Sequence, residues 1–141
     1  MKPYPAKIWK ESNGSYSVEF PDLPGCFSWG ETLEDAKEQA KEALNAYLES
    51  LDSRSQAIPS PSKQKGKDIY HISPDIHIAF AITLKQEREK QGLTQKEVAE
   101  KMGVAWSAYQ RIENPKKTNP TLTTIDKLQK VLGRKFLNLV E

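Results

Sequence analysis

The chain has 141 residues, of which 37% are hydrophobic and 28% are charged, and its formal net charge is +2. These values are typical of a water-soluble globular protein, and no apolar run approaches the roughly 18 residues that a membrane span requires. A single cysteine excludes an intramolecular disulfide, and two scattered histidines exclude the usual ligand set of a structural zinc. Because no export signal opens the sequence, we expect a cytoplasmic protein. We also expect no membrane partner, no metal and no cofactor.

Charged residues are distributed unevenly between the two halves of the chain. Residues 1–75 carry nine Lys and Arg against twelve Asp and Glu, a net charge of −3, whereas residues 76–141 carry twelve against seven, a net charge of +5. Only the second half suits a polyanion such as nucleic acid. We predict two domains with this boundary, the first of which contains a polar, proline-bearing linker at about residues 53–67.

The first half predicts a small antiparallel sheet covered by a helix. Period-two alternation indicates strands, and Asn13-Gly14 suits the tight turn of a hairpin. Thr32 is a helix N-cap, and the apolar positions that follow it at three- and four-residue spacing through Leu51 indicate an amphipathic helix. The last strand either returns to this sheet or pairs with a partner chain. The strands are predicted at residues 4–10, 15–20, 26–29 and 68–73.

The second half predicts helices only. Ser73 and Pro74 form a helix-start signal, an N-cap followed by proline at the first helical position, and this helix ends at Gly92. A last helix begins at Thr121 or Thr123. Its predicted core positions are Leu122, Ile125, Leu128, Val131 and Leu132, and the apolar residues that follow it are Phe136, Leu137, Leu139 and Val140.

Between these two helices the sequence has a helix-turn-helix pattern. Thr94 and Glu97 form a capping box, in which each side chain bonds the backbone N–H of the other residue, and they begin a short helix. Gly103 can adopt the left-handed conformation that a tight turn requires, and a second short helix is predicted from Ala105 to Glu113. This motif is typical of domains that bind double-stranded DNA.

The second half contains Leu93-Thr94-Gln95, Val98-Ala99, Gly103-Val104 and Ile112-Glu113-Asn114. In these residues it resembles the Cro/repressor (Xre) family of phage and bacterial DNA-binding domains. The resemblance covers about residues 78–140. In that family the second helix of the motif enters the major groove and presents side chains near its start to base edges.

The resemblance implies contacts to phosphate, to bases and to the DNA backbone beyond the helix. Gln95, at a helix N-terminus, is expected to contact phosphate, while Trp106, Ser107 and Arg111 face the bases. The guanidinium of Arg111 could bond guanine O6 and N7 together. Trp106 has two alternatives, which are packing on a thymine methyl group and packing against the protein. The full predicted set is Gln95, Trp106, Ser107, Gln110, Arg111, Asn114, Lys116, Lys117 and Thr118.

The first half contains Tyr4-Pro5-Ala6, residues 16–26, Gly30-Glu31-Thr32 and Asp35-Ala36. In these residues it resembles the HicB antitoxin family. HicB proteins are similar to truncated RNase H folds, and they bind and inhibit a small RNA-cleaving toxin, HicA, and repress their own operon. The resemblance implies an α+β protein, in which a βββαβ partial RNase H-like domain precedes an all-α Xre-type helix-turn-helix domain. It implies as partners a HicA-like ribonuclease toxin, double-stranded operator DNA and further copies of the chain in a dimer or tetramer.

We therefore predict an antitoxin and not an enzyme. Residues 1–52 carry ten acids against five bases, a net charge of −5 that could attract a basic nuclease, and Glu19 and Asp22 are the candidate toxin contacts. One alternative is a stand-alone Xre-type transcription regulator whose first domain binds a small molecule or oligomerises. Another is a metal-dependent nuclease that uses the same two carboxylates, for which no further carboxylate is placed to complete the site. Cys26 is predicted to be buried and His71 to point outward.

Overall fold

The computed structural model describes residues 1–134, which belong to two compact units. The first unit comprises Lys2–Asp75, and the second begins at Ile76. Within residues 1–134, no helix combines the length and the apolar character needed to cross a membrane. The predicted apolar residues Phe136, Leu137, Leu139 and Val140 lie outside the described residues.

The first unit is a four-stranded sheet with one helix, and it confirms the predicted βββαβ order. The strands lie in the order β3-β2-β1-β4, with neighbouring strands antiparallel. Ile72 of the last strand lies opposite Tyr4 of the first, so the last strand returns to its own sheet. The resemblance to a partial RNase H fold stays a prediction. The elements are β1 (Tyr4–Lys10), β2 (Tyr16–Glu19), β3 (Phe27–Gly30), α1 (Leu33–Ser53) and β4 (Ile69–Ile72).

Helix α1 lies against one face of the sheet. It begins where predicted, because the Oγ1 atom of Thr32 accepts a hydrogen bond of 3.0 Å from the backbone N–H of Asp35. Its apolar stripe is buried, as are alternate residues of the strands. The buried stripe consists of Ala36, Ala40, Leu44, Leu48 and Leu51, and the buried strand residues include Tyr4, Ala6, Ile8 and Val18.

The opposite face of β3 carries two large aromatic side chains. A Cβ atom on Gly30 would lie 2.4 Å from the backbone nitrogen of Ala36, so this end of β3 touches α1 directly. Because successive strand residues point to opposite faces, Phe27 and Trp29 point away from the helix. They are 63% and 61% exposed. The edge strand β3 therefore presents an uncovered aromatic pair.

The polar segment between α1 and β4 is held against the sheet unit by specific hydrogen bonds. The hydroxyl of Tyr4 donates to the carbonyl oxygen of Pro59 at 2.6 Å. The backbone N–H and the hydroxyl of Ser62 both donate to Oδ2 of Asp22, at 2.8 and 3.0 Å. Burial, with a smaller contribution from the Asp22 charge, raises the pKa of Tyr4 to about 12. The predicted linker is thus held against its own unit by the side chains of Tyr4 and Asp22.

The second unit consists of four helices within the described residues. The first of them begins at Ile76, two residues after Pro74, the predicted first helical residue. Between them, the backbone N–H of Asp75 donates to Oδ1 of Asn45 at 2.9 Å, so the chain is still bonded to the first unit's helix there. The helices are α2 (Ile76–Lys90), α3 (Gln95–Met102), α4 (Trp106–Ile112) and α5 (Leu122–Leu132).

One predicted core position of this unit is wrong. Leu122 is 76% exposed, because it is the first residue of α5, directly after the N-cap Thr121, and it precedes the buried stripe of that helix. Ile125 and Val131 are partly buried against the core, in agreement with the prediction. The core itself consists of Phe80, Leu84, Val98, Ala99, Met102, Tyr109, Leu128 and Leu132.

Candidate functional site

The turn between α3 and α4 has the geometry that the sequence predicts. The hydroxyl of Thr94 accepts from the backbone N–H of Glu97, and the carboxylate of Glu97 accepts from the backbone N–H of Thr94, both at 3.1 Å. The backbone N–H of Thr94, and to a smaller extent its hydroxyl, stabilise the charged carboxylate and so lower the pKa of Glu97. Gly103 follows α3 with φ of 72° and ψ of 32°, which is the left-handed conformation. The capping box and the tight turn are therefore confirmed.

Helix α4 has one buried side and one exposed side. Tyr109 is fully buried in the core, and Ile112 packs partly against it. Burial raises the pKa of Tyr109, and the neighbouring carboxylate of Glu113 raises it further. The helix begins at Trp106, after Ala105, whose methyl side chain offers no cap. The exposed side carries four of the predicted contact residues, Trp106, Ser107, Gln110 and Arg111.

The loop after α4 brings two lysines to the surface and buries a threonine. Lys116 and Lys117 are exposed, and Oδ1 of Asn114 accepts from the backbone N–H of Lys116 at 2.9 Å. Thr118 is only 4% exposed, and its hydroxyl has no hydrogen-bond partner among residues 1–134. The expectation of a DNA contact from the Thr118 side chain is therefore wrong, because that side chain lies inside the unit.

A buried ion pair lies behind the helix-turn-helix surface. Arg88 donates from Nε and Nη2 to the two carboxylate oxygens of Glu113, at 2.6 and 3.0 Å. Its Nη1 atom donates to the carbonyl oxygen of Leu93 at 2.8 Å. Both side chains of the pair are buried. The hydrogen bonds to Glu113 raise the pKa of Arg88, against an opposing effect of burial.

Hydrogen bonds connect the ion pair to two of the predicted DNA contacts, Gln95 and Trp106. Nε2 of Gln95 donates to Oε1 of Glu113 at 3.2 Å, and Oε1 of Gln95 accepts from the indole Nε1 of Trp106 at 3.4 Å. The ammonium of Lys96 lies 4.5 Å from the centre of the Trp106 ring. Gln95, Lys96, Trp106, Arg88 and neighbouring residues line an open depression of about 430 Å³.

The sequence analysis did not predict the buried pair of Arg88 and Glu113 behind this surface, nor the contact of Lys96 with Trp106 on it. A signal for the ion pair does exist in the helical spacing. Arg88 follows the core residue Leu84 by four positions, and Glu113 follows the core residue Tyr109 by four positions, so each charge lies on a buried face. Opposite charges on two core faces indicate a buried pair. No comparable pattern indicates that Lys96 stacks on Trp106.

The two carboxylates singled out in the first unit have different surroundings. Glu19 lies opposite Lys7 and opposite Phe27 in the sheet register, on the face away from α1. Asp22 accepts both hydrogen bonds from Ser62, so its carboxylate holds the linker. Residues 1–134 contain no group of three or more His, Cys, Asp or Glu side chains arranged to hold a metal ion.

The predictions for Cys26 and His71 are confirmed. Cys26 is 3% exposed, and its Sγ atom lies 3.7 Å from the carbonyl oxygen of Ala43, to which it donates. Burial raises the pKa of this thiol to about 11. His71 is exposed on β4. The buried Cys26 thiol lacks the exposure and the lowered pKa that a catalytic nucleophile needs.

Comparison with known proteins identifies both parts of the chain. Residues 4–89 match the model of a family described as HicB_like antitoxin of bacterial toxin-antitoxin system, and residues 84–138 match a helix-turn-helix family. Antitoxin HicB of Escherichia coli (strain K12) is 30% identical over 111 residues, which cover 79% of this chain and 80% of that protein. Antitoxin HicB 1 of Photorhabdus laumondii is 28% identical over 138 residues, covering 98% of this chain and 86% of that protein.

A solved structure resembles the first part. The crystal structure of the N-terminal domain of Burkholderia pseudomallei antitoxin HicB has a TM-score of 0.47 and 27% sequence identity, and the match covers 54% of this chain and all of that one. The family assignment rests on the sequence match, which includes more than half of the chain. The chain therefore belongs to the HicB-like antitoxin family and carries a helix-turn-helix domain after the antitoxin domain.

Proposed function

We propose that this protein is the antitoxin of a type II toxin-antitoxin system, which inhibits a HicA-like mRNA-cleaving toxin and represses its own operon. The observation that carries the proposal is the presence, in one chain, of a HicB-like antitoxin domain and a helix-turn-helix domain. The opposite net charges of the two halves, −3 and +5, agree with a basic protein partner for the first and DNA for the second.

The DNA surface that we propose is the exposed side of α4 and the loop after it. Trp106, Ser107, Gln110 and Arg111 lie on the part of the helix that would enter the major groove. The remaining proposed contacts, to phosphates, are Gln95, Asn114, Lys116 and Lys117. We also propose that the chain binds its operator as a dimer or tetramer, since each motif reads one half-site.

The toxin surface that we propose is the uncovered face of β3 and β2. Phe27 and Trp29 are exposed there, and large exposed aromatic side chains are frequent energetic centres of protein interfaces. Glu19 lies opposite Phe27 on the same face and supplies a negative charge for a basic toxin. Asp22 is not included, because its carboxylate is engaged by Ser62.

The toxin proposal is tested with the purified product of the neighbouring short reading frame in an RNA-cleavage assay. The wild-type protein should bind that product and stop cleavage. Replacing Phe27 and Trp29 together by Ser should weaken inhibition by about 30-fold or more, as expected for interface hot spots. Leu122→Ser is the matched control, since it also removes an exposed apolar side chain but lies on α5.

Two outcomes would contradict parts of this proposal. If the wild-type protein forms no complex with the neighbouring product, the antitoxin function is wrong and a stand-alone transcription regulator is favoured. If the complex forms and the double variant inhibits as well as the wild type does, only the assigned surface is wrong.

The DNA proposal is tested by titrating the operon's promoter fragment and an unrelated duplex at several salt concentrations. Arg111→Ala should reduce the preference for the promoter by about tenfold, because a bidentate base contact is lost. Lys117→Ala should weaken binding to both duplexes and reduce the salt slope by about one. Lys130→Ala is the control, since Lys130 pairs with Asp126 on α5. Unchanged discrimination in Arg111→Ala would contradict its assignment.

A further inference from the structure

The indole ring of Trp106 contacts neighbouring side chains of the protein on one part and is exposed on another. It is the first residue of α4, at the end of the helix that the proposed function places at the DNA. Its side chain is 45% exposed, and among the described residues of the second unit the other large apolar side chains that are this exposed are Ile76 and Leu122. Two neighbouring side chains, Gln95 and Lys96, contact the ring.

The indole N–H is directed at the protein. An indole has a single hydrogen-bond donor and no acceptor. In Trp106 this donor points to Oε1 of Gln95 at 3.4 Å. The exposed remainder of the ring consists of carbon atoms, so it can contact a base only through apolar contact.

Gln95 is itself held in the orientation that accepts this donor. Its Nε2 atom donates to Glu113 at 3.2 Å, and Glu113 is fixed by the two hydrogen bonds from Arg88. A flipped amide would place Nε2 against the indole N–H and Oε1 against a carboxylate, which are two repulsive contacts. Gln95 is therefore a positioning residue for Trp106.

Lys96 limits which part of the ring is accessible. Its ammonium lies 4.5 Å from the ring centre, within the range of a cation–π contact. One face of the indole is thus covered by the Lys96 ammonium. The apolar contact must use the parts of the ring that Lys96 leaves uncovered.

We propose that Trp106 is a specificity-determining residue that selects thymine by packing its exposed ring carbons on the C5-methyl group. In the major groove this methyl is the apolar group that distinguishes thymine from the other bases. The inference rests on the proposed DNA-binding function and adds to it the base class that Trp106 selects. It assigns no base hydrogen bond to this side chain.

The test compares the operon's promoter duplex with the same duplex containing deoxyuridine in place of thymine, which removes only the methyl groups. The wild-type protein should bind the deoxyuridine duplex more weakly, by about fourfold for each methyl that Trp106 covers. Trp106→Ala should bind the thymine duplex more weakly than the wild-type protein does. Its affinities for the thymine and the deoxyuridine duplex should differ by less, because the contribution of the Trp106 contact is gone. The comparison of the four affinities isolates the contact from other effects of the substitution.

Trp106→Phe provides a second measurement, because phenylalanine keeps an apolar ring and has no N–H group. This variant should still prefer thymine over deoxyuridine. Equal affinity of the wild-type protein for both duplexes would overturn the inference while leaving the DNA-binding function intact. Loss of promoter preference in Trp106→Phe without any effect of deoxyuridine would also overturn it, in favour of a hydrogen bond from Nε1. If the wild-type protein bound neither duplex, the proposed DNA-binding function would be wrong and this inference with it.

Discussion

The guanidinium of Arg88 and the carboxylate of Glu113 form two hydrogen bonds, of 2.6 and 3.0 Å, in the interior of the second unit. Through them the end of α2 is tied to the residue that follows α4. The third bond of Arg88, to the carbonyl oxygen of Leu93, adds the segment before α3. The two helices of the motif are therefore positioned by a single charged side chain from a third helix.

Glu113→Ala should destabilise the second unit by about 3–5 kcal/mol, because it leaves the Arg88 charge buried without its partner. The measurement is urea-induced unfolding followed by circular dichroism in the helix band. The double replacement of Arg88 by Met and Glu113 by Leu should cost much less, since no unpaired charge remains. Equal losses in the single and double variants would contradict this explanation.

The capping box should make stability depend on pH through Glu97. Its pKa in the folded chain lies below the ordinary value of 4.5, so the unfolded chain takes up the proton first as the pH falls. The stabilisation is therefore present above pH 4.5 and is lost as the pH falls through the lowered pKa. Glu97→Gln should be less stable than the wild type at neutral pH and similar to it in acid.

The control for this prediction is Glu100→Gln, which removes an exposed carboxylate from the same helix without removing a cap. Its difference from the wild type should be small at neutral pH. Unfolding free energies measured at a series of pH values give both comparisons. A Glu97→Gln difference that persisted unchanged in acid would show that the cap acts independently of its charge.

Gly30→Ala should destabilise the first unit by about 1–3 kcal/mol through overpacking. The added Cβ would meet backbone atoms of α1, at 2.4 Å from the nitrogen and 2.6 Å from the Cα of Ala36, and backbone cannot move aside as a side chain can. Ser28→Ala, two residues earlier on the same face of β3, should change the stability by less than about 1 kcal/mol. Thermal unfolding of both variants measures the difference, and equal effects would contradict the close approach.

Cys26 should react slowly with iodoacetamide in the folded protein. Burial raises its pKa to about 11, so little thiolate exists near pH 8, and the side chain is only 3% exposed. In denaturant the same thiol should be alkylated rapidly. Mass spectrometry of the alkylated fraction over time gives both rates. Similar rates in the two states would contradict the burial of Cys26.

The features that sequence predicted correctly are mostly local. The Thr94–Glu97 capping box and the left-handed Gly103 involve residues within a few positions of each other, and their side-chain chemistry determines the backbone there. The βββαβ order follows similarly from hydrophobic periodicity. Leu122 shows the limit of that periodicity, since spacing alone does not reveal that a first-turn side chain extends beyond the core.

The features that sequence did not predict depend on contacts between distant residues. Asp22 was a candidate toxin contact, yet its partner Ser62 is 40 residues away in an irregular segment. Arg88 and Glu113 are 25 residues apart, and no short motif joins them. Thr118 is polar and follows two lysines, so its burial is visible only once the loop folds back on Asn114, whose carbonyl oxygen accepts from the Thr118 N–H at 2.8 Å.

The pairing of β4 with β1 has a consequence for how the antitoxin domain is made. Tyr4 is synthesised before α1 and the linker, whereas its partner Ile72 follows both of them. One edge of β1 therefore stays open on the ribosome until nearly all of the first unit has emerged, and such non-local pairing is slow to form. A nascent chain that stops before β4 has an unfinished sheet, so the HicB-like domain is completed only as synthesis of the helix-turn-helix domain begins.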